Sequence, residues 1–427
     1  MASTIRTSST RQPGELDPGF GVNGVVVPIL RTGRVSGIAW DEGERRLTYV
    51  AWQGDEFRLY RTLMDGATDT TFGENGAGYV VGNFRGQENS RPTKLLLQRD
   101  GKSVVVGDLR TSFFEGLPAV ARFERNGDPD SSFGVGGKVV LDVIPSDGLR
   151  LGYPSGALQR DGKVLVSLHY TRPDRENVDF RNIPTLQSSK GLLVRLNQDG
   201  TLDGSFGENG VITIDHPSWE NNQLRCVVVQ RDDKIVVGGI VQRTEDGTSY
   251  DRMLLVRFTP EGAHDLTFGE AGYVLFGDKG ASYALNQVIQ DEDGKLVCSG
   301  RIFREGAAGG LLMRFDINGG PDSAFHGGLP VIVSPPSQPW GGLWEAAGLQ
   351  PDGKIVAAGR NVPQGGSTKI FFGRLHPDGT LDKDIGGTGF ILGPDGQCWG
   401  LVIQDAARRI VVAGAWEGSA AVFGFQA

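Results

Sequence analysis

The stretch Leu193-Val-Arg195-Leu-Asn-Gln-Asp-Gly200-Thr-Leu-Asp203-Gly-Ser-Phe206-Gly207 decides how the rest of the chain is read. Its arginine recurs as Arg61, Arg122, Arg257, Arg314 and Arg374. Five residues after each arginine stands a glycine: Gly66, Gly127, Gly200, Gly262, Gly319 and Gly379. Eight after it stands an aspartate: Asp69, Asp130, Asp203, Asp265, Asp322 and Asp382. Three further on comes Phe72, Phe133, Phe206, Phe268 or Phe325, with Ile385 in the last copy. Offsets that hold across six copies mark an internal repeat, and a repeat has to be recognised before length is turned into a domain count.

A second block ends in a glutamine and a hairpin turn: Leu349-Gln350-Pro-Asp352-Gly353-Lys354-Ile-Val-Ala-Ala-Gly359. The glutamine recurs as Gln98, Gln159, Gln230, Gln290 and Gln404, and Trp40 takes its place in the first copy. Asp-Gly between two apolar runs signals a β-hairpin, because glycine supplies the positive φ that such turns require. Each repeat of roughly sixty residues therefore holds four strand-sized runs; in the third copy these are residues 154–159, 163–168, 191–196 and 210–215. No helical periodicity competes with them. Four-stranded antiparallel units repeated radially describe the blades of an all-β propeller.

The termini supply the count. The last copy has three strands, residues 399–404, 409–414 and 420–425, with Gly424 in the arginine slot. The missing piece is at the front: Leu16-Asp17-Pro-Gly-Phe20-Gly21-Val-Asn-Gly24-Val-Val-Val-Pro-Ile29. Residues 25–29 are therefore expected to complete the last blade as its outermost strand, closing a ring of seven blades. Residues 1–13 read as a disordered tail and 14–427 as one domain.

These blocks resemble the bacterial delta-60 repeat family, whose units carry a Leu-Asp-x-x-Phe-Gly-x-x-Gly start, a Gln-x-Asp-Gly-Lys hairpin and an arginine-containing strand. The resemblance runs from about residue 16 to 425 and implies a propeller. It implies no family-wide catalytic set. Departures lie in the first hairpin (Trp40, Glu44), at His326 after Phe325, at Ile385, and in Gln404-Asp-Ala-Ala-Arg-Arg409, which lacks Asp-Gly.

The composition narrows function by exclusion. A net charge of −8 (43 Lys and Arg against 51 Asp and Glu) argues against nucleic acid or anionic lipid as partner. No apolar run is long enough to span a membrane, and Met1-Ala-Ser-Thr-Ile-Arg-Thr-Ser-Ser-Thr10 lacks the apolar core of a secretory signal. The default expectation is a cytoplasmic monomer. Release by a route without a cleavable signal, or an export signal trimmed from the sequence, is the rival reading. Cys226, Cys298 and Cys398 form no Cys-x-x-Cys pair and read as small buried residues. Among the histidines (His169, His216, His264, His326, His376) none has metal-ligand spacing; His169 and His216 end strands on one face of the third blade. Asp291-Glu-Asp293-Gly294 reads as a hairpin variant, since Lys295 stands at the fifth position of a would-be calcium loop. No cofactor or metal is expected.

Residues repeated in every blade are structural candidates, since an active site needs asymmetry. Each Arg is expected to pair with its Asp or with a neighbouring blade's turn, and each Phe to pack between blades. Function is expected where the repeats diverge. The largest insertion is residues 170–190, with smaller loops at 108–118 and 241–251. The channel-side starts of the inner strands also differ: Arg34, Arg91, Tyr153, Arg225, Tyr283, Trp344 with Glu345, and Trp399. Aromatic faces with arginines and one carboxylate suit a sugar, an anionic small molecule or a peptide. The expectation is a non-enzymatic binding or scaffold propeller for a protein or glycan partner. The alternatives are a lactonase-like hydrolase or lyase, for which Glu345 and Asn286 are the meagre candidates, and a lectin or toxin-associated surface protein.

Overall fold

Alternating apolar residues give each strand two packing faces, so a blade must find a neighbour on both sides. The computed structural model, which describes residues 12–29, 33–86, 88–110, 116–144, 150–178, 184–245, 248–334, 341–361 and 367–427, meets that demand with seven antiparallel sheets. Blades one to six run in chain order from Arg34–Asp41, Asn89–Leu97, Ser155–Leu158, Glu220–Val229, Ser282–Gln290 and Gly342–Leu349, each the innermost strand of its blade. Seven apolar cores lie between neighbouring blades; one joins Val411, Ala413 and Val422 of the last blade to Val35, Leu47 and Tyr49 of the first. The protein is an all-β, seven-bladed propeller.

The seventh blade is shared between the ends of the chain. Gln397–Gln404, Arg409–Trp416 and Ser419–Gln426 supply three strands, and Val25–Val26 is the fourth, with Val25 opposite Phe423 and Val26 opposite Val422. The strand is shorter than the sequence suggests, because it ends before Pro28, which has no N–H to donate. Further ties extend the seam: Leu16 bridges Phe425, and Gly24 O accepts from Gly424 N at 2.8 Å. Of the expected tail, residues 1–11 lie outside the described residues.

The repeated arginines pair within their own turns, and several also reach the next blade. Arg195 Nε donates to Asp203 Oδ2 at 2.7 Å while its Nη1 donates to Pro260 O of the next blade at 2.5 Å. The guanidinium also lies over Phe206, 4.2 Å from the ring centroid. Arg122 and Arg257 repeat the arrangement with Asp130 and Gln198 O, and with Asp265 and Ile317 O. Arg61, Arg314 and Arg374 pair with Asp69, Asp322 and Asp382 at 2.6–2.7 Å. The rings of Phe72, Phe133, Phe206, Phe268 and Phe325 are buried between blades, as is Ile385, each burial stabilising by about 1.5–3 kcal/mol. Gly262 shows why the glycine repeats: its φ is +95°, and an added Cβ would meet the Phe206 ring at 2.6 Å. With Gly424 in the arginine slot of the last blade, the task passes to another strand. Arg409 pairs with Asp17 through Nε at 2.7 Å and reaches Met64 O of the first blade at 2.7 Å.

Candidate functional site

A β-bulge recurs at one position of the inner strands. Pairing skips Ser36, Thr93, Arg225, Asn286, Glu345 and Trp399, each opposite the middle of the second strand. In five of these six blades the facing residue is a glycine, and an added Cβ would strike an inner-strand carbonyl: Gly107 against Arg91 O, Gly239 against Gln223 O, Gly300 against Ala284 O, Gly359 against Leu343 O and Gly414 against Gln397 O, at 1.7–2.2 Å. Glycine admits this close approach beside the bulge, and a bulge re-aims its side chain. In the third blade the inner strand is broken instead: Arg150–Leu151 and Ser155–Leu158 pair separately with the second strand, leaving Tyr153 beside Pro154 in the gap.

The bulged residues meet in the central channel, in a cavity of about 390 Å³ lined by Arg34, Lys94, Tyr153, Arg225, Glu345, Arg360 and Trp399 among others. Arg34 sits between aromatic faces, 5.1 Å from the Trp399 centroid, 5.7 Å from Trp52 and 5.9 Å from Tyr153. Arg225 is desolvated by burial and feels the like charge of Arg301, while Glu345 partly compensates. Glu345 is raised above its ordinary range by burial, which outweighs the pull of Arg360, Arg225, Arg301 and Arg34. Its nearest ion-pair partner is Arg360 Nη2, at 3.6 Å. For Tyr153, burial pushes the phenol up but Arg91 and Arg34 outweigh it and lower it. Among the described residues, the Nε atoms of Arg34, Arg225 and Arg360 are buried and find no hydrogen-bond acceptor.

The sequence candidates divide. Arg34, Tyr153, Arg225, Glu345 and Trp399 line the cavity. Arg91 is committed beneath Tyr153: it makes a bidentate pair with Asp108 (2.7 and 2.9 Å) and lies 4.3 Å from the Tyr153 centroid. Trp344 is fully buried and stacks on Phe371, centroids 4.2 Å apart, because the bulge falls one residue later, on Glu345. Tyr283, 4% exposed, packs in the core between blades four and five, and Asn286 carries the bulge there. Lys94, Trp52, Arg301 and Arg360 were not among the candidates. The last three do have a sequence marker: each directly follows the second-strand residue facing the bulge (Ala51, Gly300, Gly359), as Asp108 follows Gly107.

Other features remain structural. His169 Nδ1 donates to Leu224 O at 3.0 Å, and burial brings the ring down to about 4, against the opposing pull of that carbonyl. His216 packs against Tyr273 instead, so the two histidines serve different neighbours. No group of three or more metal-ligating side chains occurs among the described residues. The three cysteines are buried and free. The insertion at 170–190 extends a hairpin, Val164–Val178 against Pro184–Leu196, whose tip, like parts of the loops at 108–118 and 241–251, lies outside the described residues. Asp291 Oδ1 accepts from Asp293 N and Lys295 N, as a hairpin turn does. A larger groove of about 650 Å³ lies between the hairpins of blades two and three, but its Lys102 and Arg122 are already paired with Asp130. No helix among the described residues is long and apolar enough to cross a membrane.

The sequence model of a family described as "Domain of unknown function (DUF5122) beta-propeller" matches residues 98–133, 185–206, 230–268 and 350–383. The chain is a propeller-repeat protein. No curated protein matches it. Among solved structures it is similar to a protein of unknown function from Dyadobacter fermentans DSM 18053, at 14% identity over 77% of this chain and 92% of that one, TM-score 0.49. A PL25 ulvan lyase shares 10% identity over 94% and 95% of the two chains, TM-score 0.52. The RRP9 WD40 repeats share 11% over 97% and 99%, TM-score 0.47. At 10% identity the likeness to the lyase is one of fold.

Proposed function

We propose that this propeller is a binding protein whose channel mouth captures an acidic carbohydrate. The reading also places its repeats in the delta-60 group, on the fixed offsets of their arginine, glycine, aspartate and phenylalanine. The observation that carries the function is the cluster of under-satisfied guanidiniums (Arg34, Arg225, Arg360) beside the Trp399 face. These guanidiniums stand in a partly buried cleft, so an anion that reaches their accessible nitrogens gains more than it would at an exposed arginine. Indole and phenol faces take the apolar face of a sugar ring. In a chain of net charge −8, a cationic cleft also concentrates anions locally.

Calorimetric titration with a glucuronate-containing oligosaccharide and with a neutral one of equal length tests this. The acidic ligand should bind, with affinity falling as salt rises, and the neutral one should bind at least about tenfold more weakly. Arg225→Ala should cost about 2 kcal/mol of binding with the fold intact. Equal affinity for both ligands, or wild-type binding by the variant, contradicts the proposal. A catalytic reading, hydrolase or lyase, draws on the opposed shifts of Tyr153, lowered against burial by Arg91 and Arg34, and Glu345, raised by burial, in one cavity. Chromatography of the titrated ligand for cleavage products separates the two readings.

A further inference from the structure

Among the described residues, Lys94 is the one cation lining the channel cavity that neither the repeat nor the arginine cluster accounts for. It follows the bulged Thr93 on the inner strand of the second blade, one residue further along the channel than the tier of Arg225 and Glu345. Surrounded by protein but partly exposed to the cavity, its ammonium makes no hydrogen bond or ion pair to any described residue. The only titratable side chain acting on it is Cys226, whose thiol is pushed up to about 12 by burial and is therefore neutral. The repeated lysines present a contrast: Lys102, Lys163, Lys234, Lys295 and Lys354 each pair with an aspartate at 2.9–3.1 Å. An ammonium with no counter-ion in an enclosed site loses its proton more readily, and burial lowers Lys94 accordingly. An amine that gives up its proton readily, in a cavity whose other cations are guanidiniums, is placed to act as a nucleophile.

We propose that Lys94 captures the carbonyl of an acidic sugar's open-chain form as a reversible imine. This rests on the channel's reading as an acid-sugar site. The carboxylate is held by the guanidiniums at the mouth while the chain reaches the amine with its aldehyde end. In the reaction Lys94 Nζ bonds to the carbonyl carbon, the carbon–oxygen bond breaks, and the oxygen leaves as water carrying both amine protons. The ligand class is thus an aldehyde or ketone that also carries a carboxylate several bonds away, such as a reducing uronic acid. No oxidant or metal is needed.

The test is reductive trapping of the full chain with cyanoborohydride in the presence of glucuronic acid, followed by intact mass and peptide mapping. One adduct should form, on Lys94, about tenfold faster than with glucose, which lacks the carboxylate that concentrates it. Methyl glucuronide, which cannot open, should form no adduct and should slow trapping by glucuronic acid. Lys94→Arg should abolish the adduct and still bind methyl glucuronide. Labelling spread over surface lysines, equal rates with glucose, or unchanged trapping in Lys94→Arg overturns the proposal. If methyl glucuronide competes but Lys94 stays unlabelled, the imine fails and the acid-sugar site stands. If methyl glucuronide neither binds nor competes, the site itself fails.

Discussion

At the scale of single residues, the repeated Arg–Asp pair is a joint between blades. Arg195 fixes Asp203 within its own turn, caps a carbonyl of the next blade, and covers Phe206. Removing one partner of a buried ion pair usually costs roughly 3–5 kcal/mol, because a charge is left unpaired. Here Lys163 remains 3.0 Å from Asp203, so Arg195→Ala should cost less, about 2–3 kcal/mol. The pH dependence carries a sign. Burial pushes Asp203 up, but Ser205, Lys163 and Arg195 outweigh it and hold the carboxyl well below its ordinary range. A carboxylate depressed in the folded state stabilises above its unfolded pKa of about 3.9 and loses that contribution as pH falls. Thermal melts should therefore show the wild type losing more stability than Arg195→Ala on acidification below about pH 4. An Arg195→Ala variant that melts like the wild type at neutral pH would remove the joint from this account.

At the scale of the strand, the bulge is what turns a structural repeat into a variable site. Gly359 lies so close to Leu343 O that a Cβ would sit 1.9 Å away, and beside this contact the pairing skips Glu345, which lines the channel. Gly359→Ala should cost about 1–3 kcal/mol through overpacking and weaken acid-sugar binding by displacing Glu345 and its Arg360 partner. Wild-type melting and binding in that variant would show that the close approach does not set the bulge. The same element explains what the sequence could and could not tell. The Arg, Gly, Asp and Phe offsets were legible because they repeat for a common structural reason in every blade. The lining of the channel was legible only to within a residue or two, since a shift of one position turns a strand's side chain to its other face. Hence the strand starts offer Trp344 and Tyr283 alongside Glu345 and Asn286, and the latter two carry the bulges. Second-strand glycines such as Gly300 and Gly359 were in view, but their carbonyl contacts come from a neighbouring strand and leave no trace in spacing alone.

At the scale of the molecule, seven interblade cores make a rigid ring, and the chain's two ends meet in one blade, where Val25–Val26 pairs beside Phe423 and Arg409 reaches both Asp17 and Met64. Rigidity matters for the site because its members come from different blades: Arg34 from the first, Arg225 from the fourth, Glu345 from the sixth and Trp399 from the seventh. A ring that opened at the seam would separate Arg34 from Trp399, which face each other across it. The channel therefore presents preorganised donors, and the proposed acidic sugar would collect them without first ordering the protein. A crystal structure of the protein soaked with a glucuronate-containing oligosaccharide tests this most directly. The account predicts a carboxylate within hydrogen-bond reach of Arg225 or Arg34 and a sugar ring over Trp399. Sugar bound in the groove between the hairpins of blades two and three, with the channel free of it, would contradict the account.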